Sequence, residues 1–83
     1  MPDDAWLALG PARRRADLSV RALHLRYIAL GGMATNRQLT DHLATGARLA
    51  GIERDLVVQS INERFLELGM SERLAFGSGG APD

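Results

Sequence analysis

IERDLVVQSINERFLEL, residues 52–68, places Leu56 or Val57, then Val58, Ile61, Phe65 and Leu68 three and four positions apart. That is the period of one buried helical face. Glu53, Asp55, Gln59, Asn62, Glu63, Arg64 and Glu67 fill the other face, with Glu63 and Glu67 one turn apart. Gly69 follows as a stop that takes a left-handed conformation without a Cβ penalty, and Met70 stands where a residue folds back on the helix end. A helix with one apolar face must bury it against other elements, so the rest of the chain has to supply them.

Working towards the N-terminus, Thr35 with Gln38 three residues on reads as a capping box that opens a short helix through Leu39 and Leu43 to Gly46. Residues 47–51 read as a connection. Before that, one helix is predicted from about Pro11 or Arg13 to Leu30, ended by Gly31 and Gly32. Val20, Leu23, Tyr27 and Leu30 form one stripe on it, and Leu18, Ala22, Leu25 and Ala29 form a second on another side. Arg21 is expected on the narrow wetted edge, with Arg14 and Arg26. A helix apolar on two sides is central in its bundle or forms half of an interface. The reading is therefore all-α: a small three-helix bundle with a short N-terminal apolar segment and a disordered C-terminal tail. Its expected core is Leu23, Tyr27, Leu30, Leu39, Leu43, Val58, Ile61, Phe65 and Leu68. Residues 1–12 form a strap or docking segment, 13–76 the helical domain and 77–83, GSGGAPD, the tail. SERLAF, residues 71–76, fits either a last helical turn or a short strand.

Eighty-three residues amount to one domain with a thin stability margin. With no cysteine and two histidines far apart, neither disulfides nor zinc can supplement the core, which leaves a partner chain as the usual reinforcement. A homodimer or another protein partner is expected. No apolar run approaches a membrane span, and Asp3 and Asp4 stand where a signal peptide carries positive charge, so a cytoplasmic protein is expected. All ten basic residues are arginine, which suggests a GC-rich bacterial genome. Ten basic residues balance ten acidic ones, so whole-domain basicity, the usual footprint of a nucleic-acid binder, is absent.

The inventory for catalysis is poor. Ser60 and His42 are the only pair one would draw, with no strained turn or oxyanion hole beside either, and no phosphate-binding loop surrounds Gly31 and Gly32. No enzyme, cofactor or metal is expected. The local charge anomaly is Arg13, Arg14 and Arg15. Either they are a solvated helix start that pairs with Asp17, Glu63 or Glu67, or they contact phosphate or an acidic partner through their guanidinium forks. Placed in a first helical turn they would oppose the helix dipole. Trp6, Leu7 and Leu9 either pack on their own domain or anchor into another protein, since tryptophan and arginine are enriched at binding hot spots. Trp6, Arg13, Arg14, Arg15, Leu18, Arg21 and Leu25 are the expected partner-binding residues.

From Leu23 to Met70 the order of elements resembles winged helix-turn-helix regulators: a helix ending in GGMAT, then NRQLTDHL, then a helix ending in ELGM before ERLAF. The resemblance implies DNA binding, with Arg48 and Arg54 as base-reading candidates and a wing strand starting at ERLAF. The chain departs from that pattern in having about two extra helical turns between Leu43 and Gly69 and in carrying Glu53, Asp55, Glu63 and Glu67 on the would-be recognition helix, where DNA phosphates repel them. The first functional expectation is thus a regulatory or adaptor module acting by protein contact, and a DNA-binding regulator is the alternative.

Overall fold

The computed structural model describes residues 9–47 and 49–76. The fold is all-helical, with four helices among the described residues: α1 (Leu9–Arg15), α2 (Val20–Ala29), α3 (Asn36–Thr45) and α4 (Gly51–Glu67). Helix α2 packs on α3 and α4, and α1 closes the other side of the same pair. No helix among them is long and apolar enough to cross a membrane.

The single helix expected from about Pro11 or Arg13 to Leu30 is two helices, and the cause is local. After Arg15 the chain turns through Asp17 at φ 55°, a left-handed conformation that asparagine and aspartate tolerate better than other side chains. The Asp17 N–H bonds the Arg14 carbonyl (3.0 Å) and the Leu18 N–H bonds the Arg13 carbonyl (3.2 Å), the paired bonds of a Schellman motif. Ser19 then caps α2 at once, its hydroxyl accepting from the Ala22 N–H at 3.0 Å. The break moves Leu18 into the core and lets Leu9, Ala12 and Ala16 face it too. Helix α1 therefore straddles residue 12 and brings part of the N-terminal apolar segment into the bundle.

The other boundaries follow the sequence reading. Gly31 (φ 101°) and Gly69 (φ 74°) each end a helix in a Schellman motif, with Gly32 bonding back to Tyr27 and Met70 back to Phe65. Thr35 and Gln38 form the capping box, and Gly46 ends α3 in the left-handed region. In the core are Leu23, Tyr27, Leu39, Val58, Ile61 and Phe65 as expected, joined by Val57, while Leu43 packs against their edge. Two expected core residues do not belong to it. Leu30 is half-buried, and Leu68 is 42% exposed because α4 ends at Glu67 and the Schellman turn gives the inward contact to Met70 instead.

Two polar ties fix the layers. The Tyr27 hydroxyl donates to the Glu53 carboxylate and accepts the Ala34 N–H (2.7 Å), and Glu53 also accepts the Met33 N–H (2.9 Å). The end of α2, the turn after it and the start of α4 are thereby joined around one buried ring. Residues 71–76 form neither helix nor strand. The Asn62 side chain takes both backbone groups of Leu74, donating to its carbonyl (3.0 Å) and accepting its N–H (2.7 Å), and Glu72 pairs with Arg15. One side chain thus does for this segment what a neighbouring strand would do.

Candidate contact surface

Of the seven residues expected at a partner surface, the six described ones do not lie together. Trp6 falls outside the described residues, as do Arg48 and the expected tail 77–83. Leu18 is 7% exposed and belongs to the core, which removes it from any surface. Arg13, Arg14 and Arg15 occupy the last turn of α1, where cations favour the helix dipole; the expected cost of a basic first turn does not arise. Arg13 donates to the Leu18 carbonyl at 2.6 Å, closing the α1–α2 turn. Arg15 is bound to Glu72 rather than to Asp17, Glu63 or Glu67, and that contact holds the guanidinium charged and the carboxyl below its ordinary range. Arg14 is exposed and enters none of the ion pairs among the described residues.

Arg21 and Leu25 remain, and helical geometry puts them together. At 100° per residue, Arg21, Leu25, Ile28 and Ala29 lie on the side of α2 opposite Leu23 and Tyr27. All four are exposed; Leu25 keeps 60% of its surface and Ile28 44%. The second apolar stripe is thus cut in two: Leu18 and Ala22 turn inwards, Leu25 and Ala29 outwards. Ile28 is a member that stripe counting missed, because it falls between the two stripes and completes the ridge only when helical angle is followed.

The ridge is held rigid on both flanks. On one, Arg26 grips Glu67 of α4 with two hydrogen bonds of 2.9 and 2.6 Å, raising the basicity of the guanidinium and lowering the carboxyl below its ordinary range. On the other, His24 donates from Nε2 to the Ala34 carbonyl at 3.1 Å. Neither flank can swing across Leu25 without breaking a bond to another part of the bundle.

The pair considered for catalysis is engaged locally. Ser60 is buried and donates to the Leu56 carbonyl (2.8 Å), and His42 is buried and donates from Nδ1 to the Ala47 carbonyl (2.6 Å). No cluster of three or more metal-ligating side chains occurs among the described residues. Nor does a wing begin at ERLAF, since Leu74 is bonded to Asn62 instead of to a strand. No protein-family model, curated protein or solved structure matches this chain. Helix α2 thus presents an apolar outer ridge with Arg21 at one end.

Proposed function

We propose that the protein is a small non-enzymatic regulatory or adaptor module that acts by protein contact and self-associates through the outer face of α2. The observation that carries the reading is the exposure of Leu25 and Ile28 on a helix whose opposite side buries Leu23 and Tyr27 completely. Large apolar side chains grouped on a rigid face are usual at contact surfaces, and burying them in a second copy would reinforce a small core. A two-fold arrangement brings the same residues of both copies together near the axis.

The chain has no cysteine, so introduced thiols report this directly. Cysteine placed one at a time at Arg21, Leu25, Ile28 and Ala29 is expected to give a rapid disulfide-linked dimer from at least one position. Glu63→Cys, exposed on α4, serves as the background rate. Cross-linking at all four no faster than at Glu63 would contradict the proposal.

A further inference from the structure

A second surface, which shares no residue with the α2 ridge, lies where α1 and α4 meet the segment after α4. Residues 71–76 are neither helix nor strand, yet their exposure alternates: Glu72 and Leu74 are half-buried, while Ser71, Arg73 and Ala75 face solvent. That is the alternation of an extended chain, in which positions two apart share a side. Leu74 packs on the edge of the core. No backbone–backbone hydrogen bond ties residues 71–76 to another described part of the chain. Side chains of the bundle hold the segment instead. The Asn62 carboxamide of α4 takes the N–H (2.7 Å) and the carbonyl (3.0 Å) of Leu74. The Arg15 guanidinium, at the end of α1, takes both carboxylate oxygens of Glu72, its Nε donating at 3.0 Å. A peptide ligand is held in the same way: the clamp reads backbone, the fork reads one carboxylate and the core edge reads one aliphatic side chain.

The ties are also few. Two neutral hydrogen bonds and an ion pair whose arginine side chain is 46% exposed give a small net gain against the ordering of six residues. Segments held so lightly open while the rest of a fold stays closed. We infer that Arg15, Asn62 and the core edge under Leu74 form a docking groove for an extended segment of another protein that carries a carboxylate two residues before an aliphatic side chain. Residues 71–76 fill this groove as a displaceable strap. The strap supplies the chemistry of the partner, because any chain with that spacing satisfies the same three contacts. A segment without the carboxylate leaves Arg15 unpaired, and a helical one has already spent the backbone groups that Asn62 takes.

The probe is a fluorescein-labelled, amidated peptide MSERLAF, copied from residues 70–76, added to the full chain and followed by anisotropy. Glu72→Arg with Leu74→Asp in the full chain releases the strap and leaves Arg15 and Asn62 in place. The released chain is expected to bind the peptide at least about tenfold more tightly than the native chain, where the strap competes at high effective concentration. Adding Asn62→Ala to the released chain, or replacing the peptide's glutamate by glutamine, should each weaken binding at least about tenfold. A measurement on the native chain needs no substitution. Its Leu74 amide is expected to exchange hydrogen at least about a hundredfold faster than those of Ile61 and Phe65, and faster still as excess peptide displaces the strap. Failure of a released chain with native helix content to bind, binding that ignores Asn62, equal affinity of native and released chains, or a Leu74 amide as protected as Ile61 and unmoved by peptide would overturn the assignment. Displacement of the label by native chain as effectively as by free peptide would assign the groove to a second copy and overturn the partner.

Discussion

Tyr27 is the residue on which most of the molecule's polar order depends. It is completely buried, and its hydroxyl links Glu53 to the Ala34 N–H. Tyr27→Phe leaves that N–H without its partner and is expected to cost about 1–3 kcal/mol in urea unfolding. Gly32 stands against the same ring, so that a Cβ added there would overlap it, whereas one added at Gly31 meets nothing. Gly31→Ala should therefore lose only the backbone cost of its positive φ, about 1–2 kcal/mol, while Gly32→Ala loses more because the ring and its bonds must move. Equal losses at the two positions would contradict this packing. The Glu53 carboxyl is held below its ordinary range, first by the Met33 N–H and then by the Tyr27 hydroxyl. The folded chain thus binds that proton more weakly than the unfolded one. The stabilisation is complete above the ordinary carboxylate range and is lost as pH falls through the lowered folded value. Glu53→Gln should flatten the acid side of the stability profile, leaving the residual slope from Glu67 and Glu72, whose arginine partners also hold them low.

At the scale of elements, helix ends decide the topology. Three of the four helices close in Schellman motifs, and two of those use glycine, which is why the ends of α2 and α4 were legible in the sequence. The end of α1 was not, because Asp17 takes the place of glycine and the apolar period runs through the break from Leu18 to Ala22. Ser19 was the available signal: a capping residue two positions after an aspartate inside an apparently continuous helix. Two substitutions separate the halves of this junction. Ser19→Ala is expected to destabilise by about 1 kcal/mol through the lost cap. Asp17→Gly should be neutral or stabilising by up to about 1 kcal/mol, since glycine relieves the left-handed strain at some cost in unfolded-chain entropy. A marked loss in the glycine variant, measured by thermal unfolding, would mean that the Asp17 side chain supports the turn in another way. Glu53 illustrates the complementary limit. Periodicity placed it on the polar face of α4, and only the fold reveals that this face begins beneath the α2–α3 turn.

For the whole molecule, composition and periodicity sufficed for an all-helical bundle, because a face apolar at three and four must be buried wherever the chain folds. They did not suffice for the surface. The arginine triplet read as one patch, but the α1–α2 turn disperses it: Arg13 closes the turn, Arg14 stays exposed and Arg15 ties down the segment after α4. Leu25 was expected on a second apolar stripe, of which Leu18 and Ala22 instead pack inwards, whereas Ile28 falls between the two stripes and joins the ridge only when helical angle is followed. On this reading the outer ridge of α2 joins two copies. Light scattering on size-exclusion-purified protein over a range of concentrations, at low and high salt, tests it most directly, with Leu25→Asp as comparison. A mass of two chains that survives high salt is expected, because apolar contacts are not screened, and a helical single chain for Leu25→Asp. A single chain for the native sequence at every concentration, or a dimer unchanged by Leu25→Asp, would contradict it.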